Sequence, residues 1–373
     1  FRGQCDSFAI MPTPLEPLAT ATPSLAEAAD GLGGSTAPKS PQTSALPMTL
    51  RSRLSTGRQW LRRRITRVPI PVPPAQPAQW EQDQIPDLSP LLQSNDRIAV
   101  FVRYEQGDDL PACQAAFLAD LARLGWRIWI VDHSPTPLTA DWQQQSACTV
   151  YWQRRNQGMC VGAYAHAILL LHRSLTGRAS TQWPNLALIN NSFLPLLPAS
   201  ANPVLMELFS RPLAADQARG LTEAREQAYH LQSYLLLFGS KAWCAPEVLE
   251  FWKGCLSLSR REDIITHGEV ALTAVLKSAG LHTEALLPLS RLALNSSTRM
   301  GVQDHHPVSP IEHNPYLVYW KELLKLTGII KKSTLNNASQ SRTAQATLVE
   351  FIHCARQAGL PGAEAAIDRL VRG

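Results

Sequence analysis

Between residues 97 and 190 the chain alternates short β-rich apolar runs with helix-length amphipathic segments, and that rhythm admits few folds. Arg97–Arg103 (RIAVFVR), Arg127–Val131 (RIWIV), Thr149–Gln153 and Leu186–Ile189 are of strand length. Between them, residues 109–124 carry apolar side chains at helical spacing, with Pro111 early and Gly125 just past the end. Residues 161–173 read as an apolar helix. Strand, crossover and strand in this order predict an α/β fold built on a parallel, doubly wound sheet. Ligands of such sheets bind beyond the carboxyl ends of the strands. The loops after Arg103, Val131, Gln153 and Ile189 therefore carry the functional expectation.

Composition sets the two ends of the chain apart. Of 28 prolines, 14 fall in the first 90 residues. Residues 1–48 are rich in Pro, Thr, Ser and Ala without a sustained period, too little apolar surface to offset the cost of ordering. Residues 49–67 place Leu50, Leu54, Leu61 and Ile65 near helical spacing among arginines, with Trp60 beside them. That pattern suits either a solvated basic linker or a helix lying on an anionic membrane surface. Residues 68–77 (VPIPVPPAQP) read as a stiff polyproline spacer. The expected division is a disordered, Pro-rich and basic segment 1–90, a folded domain 91–335, and a linker with a C-terminal helical tail 336–373.

Charge and cysteine usage narrow the class further. The net charge of +5 hides a +8 block in residues 31–80 and −3 in residues 1–30, which leaves residues 81–373 neutral. A neutral folded part argues against a nucleic-acid partner. No uninterrupted apolar run approaches the ~20 residues of a membrane span. The seven cysteines are odd in number and include no CxxC, which points to reduced structural thiols in a cytoplasmic protein. The first residues lack the charged-then-apolar pattern of a signal peptide. Contact through residues 49–67 would make the protein peripheral on the inner face of the membrane.

The four strand ends supply Tyr104-Glu105, Asp132-His133-Ser134, Arg155-Asn156-Gln157-Gly158 and Asn190-Asn191-Ser192. All are polar and short, as a nucleotide site needs. Neither GxGxxG after the first strand nor GxxxxGK[ST] anywhere is present, so a dinucleotide fingerprint and a P-loop are excluded. Sugar-nucleotide transferases are among the folds that remain.

The ordered set RRNQGMCVGAY (154–164), LALINNSFLP (186–195), DQARGLTE (216–223), HLQSYLLLFGSKAW (230–243), EFWKGC (250–255), DIITHGEVALTAVLKSAG (263–280) and HNPYLVYWKELL (313–324) resembles the rhamnan synthesis F family. These are bacterial glycosyltransferases of polysaccharide and lipopolysaccharide assembly, and the resemblance spans residues 97–335. It implies a glycosyltransferase A-type fold: a nucleotide-binding, mostly parallel sheet continuous with a mixed acceptor-side half. In that half His230–Phe238 reads as a strand, Pro246–Cys255 as a helix, and Glu269–Ala279 as an amphipathic helix ending at Gly280.

The resemblance implies a hexosyl, specifically rhamnosyl, transferase moving sugar from a dTDP donor onto a growing cell-surface polysaccharide or lipopolysaccharide. Its partners would be a nucleotide-sugar donor and a glycan or lipid-linked acceptor. Such transfer needs a carboxylate to take the acceptor proton and a cation to stabilise the leaving diphosphate. Glu269 is the candidate base, or else an ordinary helix-start acid, and Asp216 is the second catalytic candidate. Asp132, Arg155, Asn156, Gly158, Asn190, Asn191 and Ser192 are the donor-binding candidates, with His230 and Trp320 on the acceptor side.

Two departures touch cofactor use. The family pattern has Asp where Asn191 stands and Asp where Cys160 stands, and Mg2+ or Mn2+ favours carboxylate oxygens. A bound Mg2+ or Mn2+ is therefore in doubt and no metal ligand is assigned. The alternative function is a catalytically degenerate glycan- or nucleotide-binding subunit of a polysaccharide assembly complex. Lys331-Lys332 reads either as a solvated pair or as a diphosphate contact, and Asp304-His305-His306 as a polar loop.

Overall fold

In the computed structural model, residues 85–93, 97–179, 182–297 and 314–334 are described. Strand β1 (Arg97–Arg103) shows how the sheet is built. Successive side chains leave a strand on opposite faces, so Ile98, Val100 and Val102 enter one apolar core while Ala99 and Phe101 enter the other. Strands β2 (Arg127–Asp132), β3 (Cys148–Gln153) and β4 (Asn185–Asn190) follow. Trp129 and Val131 share the first core with Leu186 and Leu188; Ile128, Ile130, Ala187 and Ile189 share the second. Helices cover both faces. α1 (Ala112–Arg123) brings Phe117 and Leu121 to the second core. α2 (Ala140–Gln145) leads into β3, and α3 (Met159–Leu175) lays Ile168 and Leu171 on the first core.

The order β3-β2-β1-β4 is parallel throughout. The chain steps outward from β1 to β3 and then returns to the other side of β1. The strand order thus reverses between β1 and β4, where open sheets of this kind form a crevice.

Beyond β4 the sheet becomes mixed. β5 (Phe193–Pro195) and α4 (Pro203–Ser210) precede β6 (Gln217–Ala224), β7 (His230–Leu231) and β8 (Leu235–Phe238). β8 is antiparallel to β4, β6 is antiparallel to β8, and β7 closes on β6. α5 (Pro246–Cys255) then leads to a continuous helical segment. That segment comprises α6 (Arg261–Asp263), a π turn (Ile264–Val270) and α7 (Ala271–Ser278). β9 (His282–Leu287) adds a parallel partner to β6. After α8 (Leu289–Ser297), the short α9 (Pro315–Val318) and α10 (Trp320–Thr327), β10 (Ile329–Lys331) pairs with β5. A mostly parallel α/β sheet with a mixed second half is the fold class expected from the sequence.

Three expectations need adjustment. The turn Ser89–Leu91 packs Leu88 and Leu91 into the first core, so the folded unit reaches behind residue 91. His230–Phe238 is not one strand. Both pieces pair with β6, but six residues from Leu231 to Leu236 face four from Glu223 back to Gly220. The excess forms a bulge at Ser233-Tyr234 and bends the strand there. Finally, Glu269 does not start a helix; it sits inside the π turn, eight positions after Arg261. The basic segment 49–67, the loop with His305 and His306, and the tail 336–373 lie outside the described residues.

Candidate functional site

An open cleft of about 510 Å³ lies over the carboxyl ends of β1, β2 and β3. Tyr104, His133, Ser134, Pro135, Gln153, Arg154, Arg155 and Asn156 line it, so the expected donor residues Arg155 and Asn156 stand at its rim. Tyr104 is 44% exposed and meets the His133 ring edge-on at 5.5 Å. His133 is buried, and its Nδ1 has no hydrogen-bond partner among the described residues. Burial, helped by the nearby Arg154 cation, pulls His133 down to about 4, so the ring is neutral at pH 7. A neutral imidazole beside an exposed tyrosine ring suits a heteroaromatic base.

Asp132 is placed differently from its expected donor-facing role. Its carboxylate is fully buried and pairs with the equally buried Arg103 at 2.7 Å. It also accepts from the Ser134 and Leu138 backbone N–H groups and from the Tyr151 hydroxyl. Arg103 in turn donates to Ser134 Oγ and to the Asp109 carbonyl. Asp132 shapes the cleft wall from behind and presents no open oxygen to a nucleoside.

The crevice between β1 and β4 continues the cleft. Asn191 Nδ2 donates to the Tyr104 carbonyl and to the Glu105 carboxylate, each at 3.0 Å. Both partners are acceptors, which fixes the orientation of the amide. Lys332, 7% exposed, forms an ion pair with the same carboxylate. Asn190 Oδ1 accepts from the Ser192 N–H at 3.0 Å, closing the strand-end turn.

Lys331 occupies the floor. β10 pairs with β5 in a register that sets Lys331 opposite Phe193, and the Lys332 N–H donates to the Ser192 carbonyl. Lys331 Nζ lies 3.1 Å from Ser192 Oγ, 4.1 Å from the Tyr234 ring centre and 5.7 Å from that of Tyr316. The reading of these lysines as a solvated pair is corrected: one is paired and buried, the other caged. Burial pulls the Lys331 ammonium down to about 8, with the Glu269 carboxylate opposing. Cys160 is pushed up to about 12 by burial, with Glu269 adding to that shift, and so remains a neutral thiol. Glu269, Cys160 and Lys331 therefore share one electrostatic neighbourhood.

Local backbone explains how they meet. Gly158 adopts φ +73°, and a Cβ there would lie 2.8 Å from Gly162 Cα. A Cβ on Gly162 would lie 2.3 Å from the Gln157 carbonyl oxygen. The loop before α3 folds back on its first turn at a distance only glycine allows, which fixes the start of α3, where Cys160 packs against the first core. The π turn carrying Glu269 rests on the same turn of α3, where Gly268 abuts Val161.

Other candidates fall elsewhere. Ala218 of β6 is level with Phe238 of β8, which is level with Leu186 at the start of β4. Asp216, exposed just before β6, thus lies at the end of the sheet opposite Asn190, roughly 15–20 Å away at strand rise. It cannot serve the crevice as a base. His230 is buried on β7, its Nδ1 against the Ala228 carbonyl, on a strand packed beside the π turn. Trp320 opens α10, half-buried, and does not line the cleft. Tyr104, Glu105 and His133 stood at strand ends in the sequence but carried no assigned role. Position alone marked them.

No family model matches the chain, and no curated protein matches it. Among solved structures, the apo form of mouse xyloside xylosyltransferase 1 aligns over 50% of this chain and 82% of its own, at 9% identity and a TM-score of 0.26. The apo WbbM bifunctional glycosyltransferase aligns over 52% of this chain but 39% of its own, at 9% identity and a TM-score of 0.29. At that level of similarity the meaning of the crevice rests on the chain's own residues.

Proposed function

We propose that the chain transfers a sugar from a nucleotide-sugar donor to a hydroxyl of a glycan or lipid-linked acceptor. One observation carries this reading. A cleft at the strand ends, lined by Tyr104, His133, Arg155 and Asn156, adjoins the strand-end turn where the Lys331 ammonium meets Ser192 Oγ, and Glu269 is electrostatically coupled to that ammonium. The base would lie against the exposed Tyr104 ring, with the diphosphate running past Asn191 and Ser192.

In the transfer step the bond between the anomeric carbon and the β-phosphate oxygen breaks, and its electron pair leaves with the diphosphate. The acceptor oxygen forms the new bond to that carbon and gives its proton to Glu269. The π turn supports this assignment, because π turns inside α-helices recur at functional sites. The motif resemblance favours rhamnose from a dTDP donor and a surface polysaccharide acceptor.

A second reading, a donor-binding subunit without turnover, is favoured by Asn191 and Cys160 standing where the family pattern has acids. The full-length chain incubated with a panel of sugar nucleotides, with and without acceptor oligosaccharides, separates the two. Release of nucleoside diphosphate from one donor, lost in Glu269→Gln, supports transfer. Donor binding without release under any condition supports the subunit.

A further inference from the structure

We infer that Lys331, seated on the Tyr234 and Tyr316 rings, takes the place of a divalent metal in holding the donor diphosphate, so that donor binding needs no metal ion. The inference rests on the nucleotide-sugar reading above and concerns the same crevice.

The side chains at the β4 end do not fit a divalent cation. Asn190 Oδ1 is engaged by the Ser192 N–H, and Asn191 turns its amide N–H groups, not its oxygen, toward Glu105. Glu105, the carboxylate that Asn191 contacts, is held by Lys332. Cys160 is a neutral thiol in a setting that burial makes hostile to thiolate. Among the described residues no group of three or more His, Cys, Asp and Glu side chains is arranged to hold a metal ion. A dication placed here would also meet the Lys331 ammonium, and like charges in a partly desolvated site repel strongly.

The same features suit an anion. Among the described residues Ser192 Oγ is the one hydrogen-bond partner of Lys331, and no carboxylate lies within ion-pair distance. An ammonium has three donors, and Ser192 Oγ takes one of them. The cage is rigid: the Tyr234 hydroxyl bonds to Thr222 Oγ1 at 2.9 Å and to the Tyr316 hydroxyl at 2.8 Å. The rings hold the ammonium by cation–π attraction without neutralising its charge. Lys332, one residue past β10, pairs instead with Glu105, so the two lysines have separate tasks.

The test is calorimetric binding of UDP, dTDP and GDP, and of the matching nucleosides, to the full-length chain in EDTA and in Mn2+. The expected result is that the preferred diphosphate binds equally, within about twofold, in both buffers. Lys331→Met should then weaken that diphosphate at least tenfold while leaving nucleoside affinity within about twofold, which also shows that the variant is folded. Lys331→Arg should retain most of the affinity. Diphosphate binding that requires Mn2+ and ignores Lys331→Met overturns the inference but leaves the donor-site reading standing. No binding of any diphosphate or nucleoside in either buffer overturns the donor-site reading, and this inference with it.

Discussion

A fully buried carboxylate is worth most where its donors converge, and Asp132 shows what that means for a residue that looked functional. Its two oxygens accept from Arg103, Tyr151 and two backbone N–H groups. Removing one member of a buried pair leaves the other charge uncompensated, a loss of about 3–5 kcal/mol. Asp132→Ala should therefore lower unfolding stability by about that amount in urea titration. A direct nucleotide ligand would instead lose donor affinity at unchanged stability. Lys331 gives the opposite kind of residue, one whose charge the fold tolerates at a cost. Facing it are Glu269 from the π turn, Cys160 from the start of α3, and Tyr234 and Tyr316, whose hydroxyls burial pushes upward and keeps neutral. Its pKa of about 8 lies below the ~10.4 of an unfolded lysine. The charge therefore opposes folding fully below about pH 8, and that penalty lifts as pH rises from 8 to 10. Diphosphate affinity should do the reverse, being full near pH 7 and falling as the ammonium is lost. Calorimetry and denaturation between about pH 7 and 9.5 check both signs. Lys331→Arg, charged throughout, should show flat binding over the range.

Among elements, the π turn Ile264–Val270 is the one on which the site depends most. Gly268 lets it press against Val161: a Cβ there would sit 2.7 Å from the Val161 side chain, which is too short and stiff to swing away. Gly268→Ala should cost about 1–3 kcal/mol in thermal unfolding and displace Glu269, lowering turnover further than stability alone explains. Val161→Ala, added to it, should restore both, because it removes the obstructing methyls. Strands β1 to β4 were readable in the sequence because each is an unbroken apolar run ending in polar residues. The helix Pro246–Cys255 was readable from its proline start. The π turn was not, since its residue types suit an α-helix equally well. Nor was the β5–β10 pair: three residues each and more than 130 apart, they leave no local pattern, yet they deliver Lys331. Asp216 misled for a topological reason. Its motif was visible, but which end of the sheet it occupies depends on two antiparallel steps, β4 to β8 and β8 to β6.

At the scale of the molecule, the reversal of strand order and the distribution of charge together decide what can approach. The reversal between β1 and β4 puts the crevice at the one place where loops from both directions diverge, and the mixed second half walls it with Tyr234 and the π turn. None of the described helices is long and apolar enough to cross a membrane. The charge excess of the chain lies in residues 31–80, with seven arginines and one lysine against no acid, while residues 81–373 are neutral. Attraction to an anionic bilayer contributes about 1 kcal/mol per basic residue near the surface and is screened beyond a Debye length of about 8 Å at physiological salt. The full-length chain should therefore sediment with vesicles containing phosphatidylglycerol, not with phosphatidylcholine alone, and release as salt rises toward about 0.5 M. Arg62, Arg63 and Arg64 changed together to Gln should weaken that association about tenfold or more while diphosphate binding, assigned to Lys331 and its neighbours, stays unchanged. Salt-insensitive association, or association equal on neutral vesicles, would mean that Trp60 and its leucine neighbours act through apolar contact instead, and the charge block would lose its assigned role.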